Sequence, residues 1–336
     1  MIKIAVIGCG YWGPNYIRTF NELPSSSVYL CCDIDVDRLN YIKRIYPFVN
    51  ITTNYADILK NPKIDAVCIS TPASTHYEIA KESLLHGKHV LVEKPLTLSV
   101  NDGEDLIKIA KDQKRILMVG HVYLYHPAVQ KIKSYIKNGK LGDLYYLYSV
   151  RTGLGPIRRD VNAMWDLAPH DVSIYLHLLD QMPKNVSARG ASYLQNGIED
   201  VVLLYMEFPG KVMGYIHVSW LDAYKVRKMT IVCKGKMLVF DDTNSSEKLK
   251  IFDQGVATGE PSTYGEFLLQ VRTGDIYIPK IESTEPLRNQ CMDFIECIEK
   301  NVNPKANGEE GLKIVKVLEA AQRSLEKGGA SINVQL

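Results

Sequence analysis

Lys3-Ile-Ala-Val-Ile-Gly8-Cys-Gly10-Tyr-Trp-Gly13 decides the fold of the first half of this chain. A short apolar run stops at a glycine, and a helix-forming stretch begins at Gly13. One glycine makes the tight turn, the next lets backbone approach a pyrophosphate, and the third permits close packing of helix on strand. The helix start offers unpaired N–H groups and the positive end of a dipole to an anion. Gly8, Gly10, Tyr11, Trp12 and Gly13 are therefore candidate cofactor contacts. The next apolar run, Val28 to Cys32, ends at Asp33, twenty residues beyond Gly13. A carboxylate there can accept hydrogen bonds from both hydroxyls of an adenosine ribose. A ligand-free glycine turn followed by an acid that merely ends a strand is the alternative, and the joint spacing of strand, glycines, helix and acid argues against it. Asp33 repels a 2′-phosphate, and Ile34-Asp35-Val36-Asp37 holds no cation to offset it, because Arg38 already falls on the following helix. NAD is the expected cofactor, ahead of NADP.

Outward from this stretch, short β-branched runs alternate with helical ones as far as Val119. Ile2–Ile7, Val28–Cys32, Ala66–Ser70, His89–Val92 and Ile116–Val119 read as strands; Pro14–Leu23, Val36–Tyr46, Tyr55–Leu59, His76–Leu85 and Ser99–Asp112 read as helices. Such alternation implies βαβ units and a parallel sheet covered on both faces. After a helix over Pro127–Asn138 the pattern becomes consecutive strands: Leu144–Arg151, Asn185–Leu194, Val201–Phe208, Val212–Trp220, Arg227–Cys233 and Met237–Asp241. That order predicts an α+β domain with a largely antiparallel sheet. Helices are expected over Pro286–Lys300 and Gly308–Lys327, and Asp253–Tyr277 is the least regular segment. The expected division is residues 1–122 for the nucleotide-binding domain and 123–336 for the second. Val202, Leu204, Val218 and Trp220 ask for cover on one face of the open sheet, and the other face is expected to contribute to a homodimer or homotetramer.

Composition narrows the class of partner. The 336 residues carry a net charge of +2, with 46% hydrophobic and 23% charged residues, ordinary for a globular protein of about two domains. Nothing in that balance calls for nucleic acid or an anionic membrane. The chain enters a strand at once and contains no apolar run long enough to span a bilayer, so a cytoplasmic location is expected. Seven cysteines, Cys9, Cys31, Cys32, Cys68, Cys233, Cys291 and Cys297, show no paired spacing. They read as small buried hydrophobes rather than as metal ligands or disulfides.

Val90-Leu-Val-Glu93-Lys94-Pro95 is the next informative stretch, an apolar strand ending in a charged pair and a proline. Side chains at the carboxyl end of a parallel strand face the crevice where such sheets bind ligands. A lysine there can bond a substrate hydroxyl; a plain ion pair at a strand end is the other reading. Pro95 makes a cis peptide after Lys94 possible.

Together with Ser70-Thr71-Pro72-Ala-Ser-Thr-His76 and Asp166-Leu-Ala-Pro-His170-Asp171, these motifs resemble the glucose-fructose oxidoreductase, inositol dehydrogenase and rhizopine catabolism family, abbreviated Gfo/Idh/MocA. The likeness runs from the first residues through Glu285-Pro286-Leu287 and the Gly311–Leu325 helix. It implies an α/β Rossmann domain plus a C-terminal α+β domain with a large, mainly antiparallel open sheet. It also implies an NAD-dependent oxidoreductase acting on CH–OH groups, closest to members that act at C3 of a UDP-linked N-acetylhexosamine or its uronate. By that resemblance Lys94, Asp166 and His170 are catalytic. Thr71, Pro72, His76, Glu93 and Lys94 line the nicotinamide and ribose region.

A histidine beside an aspartate is a suitable general base near neutral pH. Asp166 and His170 are four apart and share a face if both lie on one helix, with Pro169 expected in its first turn. A helix-start cluster with no catalytic task would use the same residues. After Gly120, where many family members carry arginine, this chain has His121-Val-Tyr123-Leu-Tyr125-His126, so His121 and Tyr123 become candidate substrate contacts. Arg158 and Arg159, just ahead of Asp166, could clamp a diphosphate or carboxylate. A dehydrogenase of a free sugar or inositol would need no such clamp. A non-catalytic sensor of NAD and sugar could use the same fold.

Overall fold

The structure is a computed structural model and describes residues 1–257 and 270–334. Its first compact unit comprises Met1–Tyr125 and Thr284–Glu319; the second comprises His126–Ser283 and Ala320–Leu336. The linear division at 122/123 therefore lacks one feature, the return of the chain to the first unit. The helix over Pro286–Lys300 sends Leu287, Cys291, Phe294 and Ile295 into the same core as Ile4, Val6, Tyr16 and Phe20. Burial of such side chains, at roughly 1.5–3 kcal/mol each, makes the return favourable.

In the first unit, strands β1 (Ile2–Ile7), β2 (Ser26–Cys32), β3 (Asn50–Thr52), β4 (Ala66–Ile69), β5 (His89–Val92) and β6 (Leu117–Val119) form one parallel sheet in the order β3-β2-β1-β4-β5-β6. Between them run α1 (Gly13–Glu22), α2 (Val36–Ile45), α3 (Ala56–Leu59), α4 (His76–Leu85) and α5 (Val100–Asp112). Strands β4 and β6 and most of β1 and β5 are buried on both faces, as doubly wound sheets require. The order reverses between β1 and β4, which is where such sheets open a ligand crevice at their carboxyl ends.

The second unit begins with α6 (Pro127–Lys137), β7 (Leu144–Thr152), α7 (Ala163–Leu179), β8 (Asn185–Ala191), β9 (Val201–Glu207), β10 (Met213–Ser219), β11 (Val226–Cys233), β12 (Met237–Asp241) and β13 (Leu249–Phe252). β14 (Gly255–Ala257) pairs with β15 (Gln270–Arg272), and β16 (Ile276–Tyr277) pairs with β13. After α8 (Pro286–Lys300) and α9 (Gly308–Glu326) the chain ends in β17 (Ile332–Asn333). The nine-stranded sheet runs β16-β13-β12-β11-β7-β10-β9-β8-β17, antiparallel except between β7 and β10. Of the irregular Asp253–Tyr277 segment, residues 258–269 lie outside the described residues.

The faces of that sheet differ in kind. Val202, Leu204, Ile216, Val218 and Trp220 are buried, and α7 packs on β10 so closely that a side chain at Gly214 would meet the Tyr175 ring at 3.1 Å. The alternate residues Leu203, Met213 and Tyr215 are exposed, and Tyr148 stacks on Tyr215 with ring centroids 4.9 Å apart. All seven cysteines are buried, and burial pushes the Cys68 and Cys291 thiols well up. Among the described residues no helix is long and apolar enough to cross a membrane.

Candidate active site

Steric exclusion builds the glycine turn. Gly8 has φ +93°, and a β-carbon there would sit 2.6 Å from the Ser70 carbonyl oxygen; one at Gly13 would overlap the Gly8 carbonyl. Ser70 closes the contact by donating from Oγ to that Gly8 carbonyl at 2.7 Å. Trp12, at the N-cap of α1, makes no side-chain cap bond, and the first turn holds no acid. These features fit a pyrophosphate: the backbone can be approached closely, and neither a capping side chain nor an acid competes with an anion at the helix start. Tyr11 is exposed, and Trp12 packs against the core edge.

Asp33 follows β2 and is only 7% exposed. Its Oδ2 accepts the Cys9 N–H at 2.6 Å and its Oδ1 the Asp35 N–H at 2.9 Å, so the carboxylate that suits a ribose also braces the glycine turn. Arg38 corrects the sequence reading. It lies on α2 as expected, yet its guanidinium reaches back to Asp35 at 3.3 Å and Asp33 at 3.8 Å, and lies 3.3 Å from where a Gly10 β-carbon would be. A helix residue one turn in projects back over the preceding loop, so a cation does stand beside the acid.

Thr71 and Pro72 follow β4. Behind them His76, expected to line the ribose region, is buried with Nδ1 2.8 Å from the Pro95 carbonyl and Nε2 3.0 Å from the Thr71 carbonyl. The ring braces the β4 loop against the β5 loop. Lys94 follows Glu93 at the end of β5, and the Lys94–Pro95 peptide is cis. Glu93 is buried; its Oε1 accepts the Tyr16 hydroxyl at 2.6 Å, its Oε2 accepts the Lys94 N–H at 3.1 Å, and Gln290 donates to Tyr16 at 3.1 Å. Burial raises the Glu93 carboxyl above the usual range, against the Tyr16 bond and the Lys94 charge, which both lower it.

His121, after β6, is fully buried, and burial together with the Lys94 charge pushes its imidazole down to about 3. Tyr123 is buried as well. Tyr125 serves the fold: its hydroxyl donates to Asp293 at 2.6 Å and accepts the Ala306 N–H at 3.2 Å.

In the second unit, Asp166 and His170 both lie on α7. Asn162 caps that helix by accepting the Trp165 N–H at 3.1 Å, and this cap starts the helix earlier than expected. Pro169 is consequently inside the helix, beyond the first turn, and His170 stands one turn after Asp166. The Asp166 carboxylate accepts the Trp220 indole N–H at 3.1 Å and an Arg158 N–H at 3.4 Å. The arginine clamp takes a different form from the expected one. Arg158 makes two bonds to Asp160, at 2.9 and 2.7 Å, while Arg159 is exposed. Arg158 thus spends its planar fork on this chain's own carboxylates, which raise its pKa further.

The first unit gathers Gly8, Gly10, Gly13, Asp33, Thr71, Glu93, Lys94 and His121 around adjacent strand ends, and the second carries Asp166, His170, Arg158 and Arg159. Sequence reasoning missed Arg38, Tyr16, Gln290 and Trp220. Each is an ordinary helix or strand residue whose partner is distant in the chain or, for Arg38, set by rotamer. Among the described residues there is no cluster that could hold a metal ion.

Comparisons with known proteins agree with this fold. Residues 2–121 match the family model described as an oxidoreductase family with an NAD-binding Rossmann fold, and residues 129–239 match that of the GFO/IDH/MocA C-terminal domain. Myo-inositol 2-dehydrogenase of Thermotoga maritima is 24% identical over 336 residues, 97% of this chain and 97% of that protein. UDP-N-acetylglucosamine 3-dehydrogenase GnnA from Acidithiobacillus ferrooxidans has a similar structure, with a TM-score of 0.82 at 23% identity over 97% of this chain and 98% of that one. WlbA dehydrogenase from Bordetella pertussis, solved with NADH and UDP-GlcNAcA, gives 0.81 at 20% identity over 100% and 99%. At such identities the structural likeness speaks for the fold.

Proposed function

Because this chain belongs to the Gfo/Idh/MocA oxidoreductases and carries their NAD-binding Rossmann domain, we propose that it oxidises a secondary ring hydroxyl of a sugar, with Lys94, Asp166 and His170 as its catalytic residues. Bound NAD supplies the hydride acceptor. The remaining work falls to the side chains. His170 takes the hydroxyl proton as the C–H hydride leaves the carbinol carbon, and Asp166 orients that base or a neighbouring hydroxyl. Lys94 stabilises the negative charge that develops on the substrate oxygen.

The observation that carries this reading is the anchoring of Lys94 at the carboxyl end of β5 by a fully bonded Glu93. Substitution Lys94→Ala should lower kcat by about 100- to 1,000-fold while NADH binding persists. Hydride transfer that survives it unchanged would overturn the assignment and favour a sensor.

For the substrate, C3 of a UDP-linked N-acetylhexosamine or its uronate is the reading drawn from the family likeness. A free sugar or inositol is the second, favoured by the capture of Arg158 by Asp160, which leaves only Arg159 exposed for a diphosphate. Comparing NADH formation with UDP-N-acetylglucosamine, its uronate, free hexoses and myo-inositol, before and after Arg159→Ala, separates the two. Asp33 supports NAD over NADP, and Arg38 beside it moderates that preference.

The exposed face carrying Leu203, Met213 and Tyr215 supports assembly into a homodimer or homotetramer. Light scattering on Leu203→Glu should show dissociation; a monomeric unsubstituted protein would refute the assembly.

A further inference from the structure

His121 is 1% exposed, yet among the described residues neither Nδ1 nor Nε2 has a hydrogen-bond partner. Other buried histidines of the first unit behave differently. His76 sets both nitrogens against carbonyl oxygens, and the half-buried His89 accepts the Ile116 N–H on Nδ1 at 3.0 Å. The His121 backbone is fully used, donating to the Val119 carbonyl at 2.7 Å and accepting the Leu124 N–H at 3.0 Å. Only the ring is left wanting.

Two buried polar atoms without partners weaken a fold unless something else completes them. The ring cannot compensate by charging, since burial and the Lys94 ammonium oppose protonation. An uncharged imidazole presents one donor and one acceptor on opposite sides, which matches a hydroxyl or other group able to play either part. The position is also informative. Ser70-Thr71, Glu93-Lys94 and Gly120-His121 end the adjacent parallel strands β4, β5 and β6, at the edge where open α/β sheets receive ligands. Gly120 lets this edge close tightly, because a β-carbon there would lie 3.1 Å from the Glu93 carboxyl carbon.

We propose that His121 is a substrate-completed residue: it hydrogen-bonds the ring hydroxyl next to the one that Lys94 contacts, and so selects a sugar or cyclitol with vicinal hydroxyls. This rests on the reading that Lys94 meets the reacting hydroxyl. The ring binds and orients; it exchanges no proton.

The test is His121→Leu, of similar volume and without polar atoms, with His121→Gln as the conservative comparison. Ligand-free His121→Leu should melt at the same temperature as the unsubstituted protein or about 2–4 °C higher. NADH affinity, read by fluorescence, should stay within about twofold. The KM for whichever of UDP-N-acetylglucosamine or myo-inositol is turned over should rise by about 10- to 100-fold, kcat changing far less, and His121→Gln should recover part of it. A lower melting temperature with KM unchanged makes His121 a packing residue and overturns the proposal. Equal loss of NADH affinity overturns it too, by assigning the ring to the cofactor. Lys94→Ala that still transfers hydride defeats the functional reading instead, and the His121→Leu melting comparison decides the present one separately.

Discussion

Among the described residues, Arg151 and Asp171 form the most completely buried ion pair of the second unit, and its removal has a calculable cost. Arg151 donates from Nε to Asp171 Oδ2 at 2.6 Å and from NH2 to Oδ1 at 3.3 Å, with side chains 7% and 4% exposed. The pair joins β7 to α7 at the residue after His170. At an effective dielectric of about 20, charges about 4 Å apart attract by about 4 kcal/mol, and breaking such a pair from one side costs about 3–5 kcal/mol because the other charge stays buried. Asp171→Asn should therefore lower unfolding free energy by about 3–5 kcal/mol. The double change Arg151→Met with Asp171→Leu should recover most of it, since no buried charge remains. Urea unfolding followed by tryptophan fluorescence suits the measurement, because Trp165 and Trp220 both lie in the second unit. Asp171→Asn costing under about 1 kcal/mol, or a double variant no more stable than the single one, would refute the reasoning.

His121 and His89 are held neutral in the fold, pushed down from 6.5 to about 3 and about 4 by burial, with Lys94 and Arg115 adding to it respectively. A lowered histidine contributes stability that is present above pH 6.5 and lost as pH falls toward those values. At 1.36 kcal/mol per unit, His121 should cost about 2 kcal/mol between pH 6.5 and 5, and the part-exposed His89 about half that. Urea midpoints at both pH values should converge for His121→Leu; parallel losses in both proteins would sink the linkage. Gly13→Ala drives a β-carbon into the Gly8 carbonyl, so NADH binding should fall at least about tenfold, as equilibrium dialysis would reveal. Asp33→Ser should raise the NADP-to-NAD preference by about 10- to 100-fold, and Arg38→Ala in that background should cancel the gain; an unchanged ratio removes Arg38 from cofactor choice.

What the amino-acid order alone determined here is what obeys short-range rules. The positive φ of Gly8 and the close approach of Gly13 to the Gly8 carbonyl are set within one turn, and the alternation of β-branched and helical runs yields the parallel sheet with Lys94 at a strand end. Asp166 and His170, four apart, share a face because both lie on α7. Even close in sequence, rotamers and caps escaped the reading: Arg38 reaches back to Asp33, and Asn162 moves the start of α7 so that Pro169 sits inside it. Only tertiary structure decided which distant groups pair. Tyr16 meets Glu93 and Gln290, α8 returns to the first core, and the His121 ring is buried with no hydrogen-bond partner among the described residues. Periodicity and backbone sterics act over a few residues and can be read along the chain, whereas burial and the choice of hydrogen-bond partner depend on which surfaces meet after the chain has folded.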